Sequence, residues 1–322
     1  MQFKTYPGYI TDVNGIKVGH SQSEEGMTGC TVIICDKGAT GGVDVRGSAP
    51  GTRETDLFKP DKLVDRVHAI VLSGGSAFGL EAASGVMRYL EEQGTGFDVG
   101  YTKVPIVASA VIFDFVIGDW RIRPDIKMGY EAAMNAASGE CSQGNVGCGT
   151  GATIGKINGI EGAMKSGLGS ATVRAGELVV SAIVAVNSFG DVYDYETCRQ
   201  LAGAYDYKNK ELLNTYEIMK ERGKSGSFGM ENTTIGVVAT NAILSKAEAN
   251  KVAELAQNGL ARSINPVHTM LDGDTVFTMA TNEIKGDINL IGTMASEAMS
   301  RAITNGVLNA VSCCGMLSYN DI

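Results

Sequence analysis

The sequence predicts a mixed α/β protein. Short β-branched runs and amphipathic helical segments alternate along its whole length, and glycine is abundant enough to turn and cross the chain tightly. There are 42 glycines against 6 prolines. Glycine tolerates positive φ and close backbone approach. The two richest stretches, "SGGSAFGLEAASG" and "GNVGCGTGATIGKINGIEGAMKSGLGS", are therefore expected as tight turns and crossings between apolar segments. No repeat of solenoid length is present.

In chain order, "TVIICD" (31–36), "HAIVLSG" (68–74), "ELVVSAIVAVNSFGDVYD" (177–194), "TTIGVVATN" (233–241) and "TVFTMAT" (275–281) read as strands bounded by Gly, Asp or Asn. Helices fall between them. "GLEAASGVMRYLEEQG" puts Leu80, Ala83, Met87 and Leu90 on one face and stops at Gly94. In "SKAEANKVAELAQNGLARSINP", Ser245 and Glu248 form a capping box, Val252, Leu255 and Ala256 carry the apolar face, and Pro266 follows the end. "INLIGTMASEAMSRAITNGVL" repeats the pattern near the C-terminus. The stretch 205–232 is polar and charged and reads as a helix followed by a Gly/Ser-rich flexible connector, the form an exposed or processed linker takes.

The 322 residues are 44% apolar and 20% charged, which suits a globular chain with a substantial core. A formal charge of −9 disfavours nucleic acid or an anionic membrane as partner, because both reward a basic patch, and favours small molecules or peptides. No apolar run is long enough to span a bilayer, and "MQFKTYPGYITDVNG" lacks the basic and apolar regions of a signal peptide, so a cytoplasmic location is expected. The seven cysteines show no C-x-x-C spacing and are expected as reduced, mostly buried thiols. His20, His68 and His268 lie in unrelated contexts, and no metal site is suggested.

"ENTTIGVVATNA" (231–242) sets two threonines between an asparagine and an apolar strand. A threonine hydroxyl is a weak nucleophile unless a base lies beside it, and a threonine that begins a chain carries one as its own α-amine. That amine has an ordinary pKa of about 7.7–8.0, so it accepts a proton near neutrality. A connector ending at Asn232, with Thr233 on a buried strand, is what self-cleavage needs. A loop end followed by two strand-favouring threonines explains the same residues.

The blocks "ITDVNGIKVGH", "TGCTVIICDKGATGGVDVRGSAPGTRETDLF", "AIVLSGGSAFGLEAASGVMRYLEEQGTGF", "VPIVASAVIFDF", "GNVGCGTGATIGK", "NTTIGVVATNA" and "LDGDTVFTMATNEI" occur in order across nearly the whole chain. Together they resemble the family of L-aminopeptidase D-esterase/D-amidases, which includes β-peptidyl aminopeptidases and endo-type 6-aminohexanoate (nylon) oligomer hydrolases. The resemblance implies a four-layer αββα sandwich like that of N-terminal-nucleophile hydrolases, with the connectivity of ornithine acetyltransferase. It implies one catalytic domain, 1–322, that cuts itself at Asn232-Thr233 into an α chain, 1–232, and a β chain, 233–322, which stay together in a homo-oligomer, a tetramer of αβ units. No cofactor or metal is implied.

Carried over by motif, the nucleophile is Thr233, and a threonine after the cut is the pattern of the oligomer-hydrolase subgroup. "GATIGK" places an active-site lysine at Lys156, "VAVNSFG" an asparagine at Asn187, and "LDGDT" two acidic residues at Asp272 and Asp274. In "AVIFDF" the chain departs from the subgroup: Phe113 stands where some oligomer hydrolases have tyrosine, at a substrate contact.

Each position also has a local reading. Asp272 and Asp274 share a face if extended, one to orient the Thr233 ammonium and the other to fix its partner, while Asp-Gly between two apolar runs is also a hairpin signal. Lys156 beside Gly-rich backbone can set the charge around the nucleophile, whereas a lone lysine is usually a solvated surface group. Asn187 can donate its amide to an oxyanion or simply end a strand at a turn. "SGGSAFG" around Ser76 is not a nucleophile elbow, because Phe78 stands where that motif needs glycine; a helix N-terminus lining the substrate pocket is expected. Arg46, Arg53 and Glu54 in "DVRGSAPGTRETD" are expected as a structural or pocket-wall ion pair.

The function these features imply is amide hydrolysis of small peptide-like or ω-amino acid oligomers through an acyl-enzyme on Thr233. The alternatives are an aminopeptidase or D-esterase acting on short α-peptides and amides, acyl transfer to an amine instead of water, and a catalytically silent small-molecule-binding protein on the same fold.

Overall fold

The computed structural model describes residues 3–223 and 232–322. Nine strands form its main sheet: β1 (Ile16–Ser23), β2 (Thr28–Val45), β3 (Thr52–Arg53), β4 (Arg66–Ser73), β5 (Val107–Val111), β6 (Leu168–Ala175), β7 (Leu178–Asn187), β8 (Thr233–Ala242) and β9 (Thr275–Ile284). Their spatial order is β6-β7-β8-β9-β2-β4-β5-β3, with β1 also on β2. Pairing is antiparallel except for β8 with β9 and β4 with β5. Among the described residues, five α-helices complete the frame: α1 (Ala82–Glu92), α2 (Ile126–Met134), α3 (Thr215–Arg222), α4 (Lys246–Ser263) and α5 (Ile288–Leu308).

The long strand β2 turns this sheet into two layers. Its residues 30–34 pair with β4, the register shifts between Ile34 and Ala39, and its residues 40–45 pair with β9. Such a shift bends a strand, so β2 belongs to both halves. Between the halves lies an apolar core holding Ile33, Ile70 and Leu72 from one side and Ile183, Ile235 and Phe277 from the other. A second core packs the outer face of β6–β9 on α4 and α5 through Val184, Val238, Val252 and Met299. A third packs Val32 and Val71 on α1 and α2 through Val86 and Ala132. Three apolar cores separate four layers, helix, sheet, sheet, helix, as expected for an αββα sandwich.

The period-2 alternation of β8 explains its place in the middle. Ile235, Val237 and Ala239 face the central core and Val238 and Ala242 face α4 and α5. The expected strand at 31–36 runs further, through 45, because Gly41 and Gly42 do not interrupt it. A Cβ on Gly42 would lie 2.2 Å from the Ala249 backbone, so this half of β2 needs glycine where α4 presses on it. The predicted capping box of α4 forms: Ser245 N donates to Glu248 Oε2 at 2.8 Å, and Glu248 N donates back to Ser245 Oγ at 3.3 Å. Such a cap is worth about 1 kcal/mol.

The expected run 177–194 divides into β7 and a short strand, Asp191–Tyr193. Residues 205–212 form a small hairpin ahead of α3, not the start of the helix. The predicted connector falls partly on 224–231, which lies outside the described residues. All seven cysteines are free, but only Cys30, Cys35 and Cys148 are buried, so the expectation of mostly buried thiols is corrected. Among the described residues, no helix is long and apolar enough to cross a membrane.

Candidate active site

Strand β8 begins at Thr233, directly opposite Asn187 at the end of β7. The Thr233 side chain is buried, and its hydroxyl donates to the carbonyl oxygen of Asn232 at 2.5 Å. The same carbonyl accepts from the backbone N–H of Gly273 at 3.0 Å, while Asn232 N donates to Leu271 O at 3.0 Å. Asn232 thus forms a parallel bridge with Asp272 just ahead of the β8–β9 pairing. This overturns the hairpin reading of Asp272-Gly273, because a partner remote in sequence takes the backbone that a local turn would have used.

Thr233 opens onto a cavity of about 310 Å³, lined also by Pro50, Ser76, Ala77, Val111 and Phe113. Ser76 stands at φ 50°, after Gly75 at φ 76°, and opens a single 3-10 segment, Ser76–Glu81. This turn lines the cavity beside Thr233. Phe113 packs edge-on against Phe115 with ring centroids 5.1 Å apart, and Phe115 lies 6.4 Å from Phe78. Phe113 is the aromatic part of the cavity lining, and Phe115 packs against it.

Behind Thr233 lies Lys156, which is buried and not the solvated surface charge that a lone lysine suggests. Its Nζ donates to Asn187 Oδ1 at 2.8 Å and to Asn187 O at 3.1 Å. Gly155, at φ 74°, makes this approach possible: a Cβ there would lie 1.9 Å from the Gly203 carbonyl carbon. Burial strips water from the Lys156 ammonium and lowers its pKa to about 7, although Asp272 and Asp114 pull the other way. Asn187 Oδ1 also accepts from Thr153 N at 3.0 Å, and its Nδ2 donates to Phe113 O at 3.0 Å. Asn187 thus ties the lysine to the Phe113 segment, with one of its two amide N–H groups on Phe113 O.

The two aspartates divide their work. Asp274 Oδ1 accepts from Thr234 N at 2.7 Å, and its Oδ2 accepts from His268 Nδ1 at 2.8 Å and His268 N at 3.2 Å. Asp272 Oδ2 accepts from Thr269 N at 2.7 Å. Burial first, and then the neighbouring Asp274 carboxylate, push the Asp272 carboxyl above its ordinary range.

Two further residues bear on the site and carried no signal in sequence. His268, six residues before Asp274, is fixed by that carboxylate. Asp114, beside Phe113, is buried and raised to about 6 by desolvation; its Oδ2 accepts from Thr28 Oγ1 at 2.6 Å and its Oδ1 from Gly75 N at 2.7 Å. It clamps the Ser76 turn to the Phe113 segment. The ion pair expected in the 44–56 loop forms on Arg46, with Asp44 at 3.1 Å, whereas Arg53 turns away to Ser84 Oγ at 2.8 Å, a partner on α1 that spacing cannot foretell. Among the described residues, no group of three or more His, Cys, Asp or Glu side chains is placed to hold a metal ion.

The structure gathers Thr233, Asn187, Lys156, Asp272 and Asp274 around one peptide bond, with Phe113 and Ser76 on the adjoining cavity. The architecture is similar to that of the L-aminopeptidase D-Ala-esterase/amidase from Ochrobactrum anthropi, a variant of the N-terminal-nucleophile hydrolase fold. The TM-score is 0.70 at 18% identity, over 96% of this chain and 88% of that one. The model of peptidase family S58 matches residues 8–318, and the chain belongs to that family and is a hydrolase. An uncharacterized aminopeptidase of Mycobacterium tuberculosis is 39% identical, with 97% of each chain covered. The 6-aminohexanoate-oligomer endohydrolase of Agromyces sp. is 32% identical over 91% of this chain and 84% of that one.

Proposed function

We propose that the chain cuts itself between Asn232 and Thr233 and then uses the freed Thr233 as the nucleophile of an amidohydrolase. The observation that carries this is the Thr233 hydroxyl held against the Asn232 carbonyl on the wall of a cavity of about 310 Å³. Cleavage leaves residues 1–232 and 233–322 as two parts of one catalytic domain. The new α-amine then lies beside Asp274, which already binds the next backbone N–H, and in reach of the Asp272 charge.

In turnover the amine takes the hydroxyl proton, Oγ1 attacks the substrate carbonyl, and the proton passes to the leaving amine. Water then hydrolyses the ester and restores the hydroxyl. Lys156, brought to about 7, exchanges a proton near neutral pH and holds Asn187 opposite the nucleophile. The substrates are amides of small peptide-like or ω-amino acid oligomers, a class supported by the threonine-centred motif set and by the endohydrolase relative. Assembly as a tetramer of αβ units is part of the same proposal. So is residence in the cytoplasm, where a reducing milieu suits the exposed free thiols of Cys198 and Cys314.

The test pairs N-terminal sequencing with three substrates: a 6-aminohexanoate oligomer, a β-alanyl amide and an L-alanyl amide. A new N-terminus at Thr233 and faster cleavage of the first two are expected. A clear preference for the L-alanyl amide would overturn the substrate class and leave the threonine chemistry standing; the absence of a Thr233 terminus would overturn the chemistry itself.

A further inference from the structure

We propose that the backbone N–H of Gly273 is the oxyanion donor for self-cleavage, and that residue 273 is glycine because a side chain there would fill the space beside the attacking hydroxyl. This rests on the self-cleavage proposed above. The N–H reaches the Asn232 carbonyl oxygen at 3.0 Å, and a Cβ on Gly273 would lie 2.9 Å from Thr233 Oγ1 and 2.7 Å from Ala49 O.

The peptide that carries this N–H is held on every side. Asp272 O accepts from Ala49 N at 2.9 Å, Gly273 O accepts from Thr275 Oγ1 at 2.9 Å, and Asp274 O accepts from Arg46 N at 2.9 Å and Gly47 N at 3.1 Å. The bridge Asn232–Asp272 is in register with the β8–β9 ladder that starts at Ile235–Thr275. Two positions, Thr233/Gly273 and Thr234/Asp274, are missing between them. A regular parallel ladder would send Thr234 N to Gly273 O, but Thr234 N goes to the Asp274 carboxylate instead. The ladder is therefore interrupted at the bond to be cut, while the donor on its carbonyl stays fixed. Donors fixed in advance stabilise developing charge without reorganising as it forms.

The step balances as follows. Thr233 Oγ1 forms a bond to the Asn232 carbonyl carbon, and the carbonyl pair moves to oxygen, where the Gly273 N–H receives it. The C–N bond to Thr233 then breaks, and the hydroxyl proton ends on the departing nitrogen. The resulting Asn232 ester takes up one water to give a carboxylate and a free Thr233 hydroxyl.

The direct test replaces Gly273 with glycolic acid by nonsense suppression in cell-free translation, exchanging N–H for oxygen with no change in shape. The folded precursor is expected to cleave about 10²-fold more slowly than wild type. The control is the hydroxy acid of asparagine at 232, which removes the neighbouring ladder donor to Leu271 and touches no reacting atom; it is expected to cleave within a fewfold of wild type. Cleavage of the Gly273 ester at the wild-type rate, or equal slowing in both esters, would overturn the assignment. A wild-type chain that stays whole under the same conditions would overturn self-cleavage and this assignment together, which separates the two failures. Gly273→Ala is expected to remain uncut while folded, and its cutting at the wild-type rate would count against the need for glycine.

Discussion

Two lysines nine residues apart, Lys156 and Lys165, are both buried and both have pKa values lowered by desolvation, to about 7 and about 8. Their partners differ. Lys165 Nζ donates to three main-chain carbonyls, Gly149 O at 3.2 Å, Ala152 O at 3.0 Å and Ser166 O at 2.5 Å, and so clasps the glycine-rich segment to the strand that follows it. Lys156 instead meets a side-chain oxygen, Asn187 Oδ1, on the residue paired with Thr233, and feels the charge of Asp272, while Asp114 acts on both lysines. A displaced pKa alone therefore does not mark function. The surrounding groups do, since only Lys156 can pass a change in its protonation to a nucleophile.

The largest effect that separates the two is on self-cleavage. Lys156→Met should slow it about 10²-fold or more and leave the melting temperature within a few degrees, because the change removes a buried charge as well as its hydrogen bonds. Time-resolved gel analysis beside calorimetry checks both halves; equal loss of stability and cleavage would make Lys156 a clasp like Lys165. Next in size, Lys165→Met should lower stability by about 1–3 kcal/mol, because Ser166 O loses the donor that Lys165 gives it, while Gly149 O and Ala152 O keep the backbone N–H groups of Ala152 and Ser166. The folded fraction of that variant should still cleave at close to the wild-type rate. Denaturant titration measures the first and single-turnover cleavage the second.

A smaller effect appears with pH. A lysine whose folded pKa is lowered binds fewer protons folded than unfolded between that value and its ordinary one, so its contribution to stability rises as pH climbs through that window. Both lysines therefore favour a gain of about 1–2 kcal/mol from pH 7 to 8.5. Above that range the buried thiols of Cys30 and Cys148, raised by desolvation, oppose it. Each lysine-to-methionine variant should lose part of the gain, but only Lys156→Met should also change how the cleavage rate varies with pH near 7, where Lys156 gives up its proton. The smallest expected change is at the cavity wall. Phe113→Tyr should alter turnover of a 6-aminohexanoate oligomer severalfold and leave self-cleavage unchanged, which steady-state kinetics of the matured protein will show.

The contrast between the lysines also shows what could be read before folding. The capping box of α4 and the strand at 233–242 are local patterns, set by residues within one element, and both were legible. Helix α2 was not: it has nine residues, follows Pro124 and contains Gly129, so its apolar face is too short to declare itself. The second half of β2 was hidden because its glycines look like a break until α4 is known to press on them. At the site, motif resemblance supplied Thr233, Lys156, Asn187 and the two aspartates. It did not supply the burial of Lys156, which depends on β7, or the roles of His268 and Asp114, which depend on partners across the fold. The hairpin expected at Asp272-Gly273 failed for the same reason, since Asn232, forty residues earlier, competes for that backbone.

Self-cleavage at Thr233 is the claim from which the rest follows, and intact-mass spectrometry of the purified protein tests it most directly. After incubation at neutral pH the wild-type chain should resolve into fragments 1–232 and 233–322 whose masses differ in sum from the precursor by one water, while Thr233→Ala stays whole and Thr233→Ser still matures. A single 33.8 kDa species from the wild type after prolonged incubation would contradict the account.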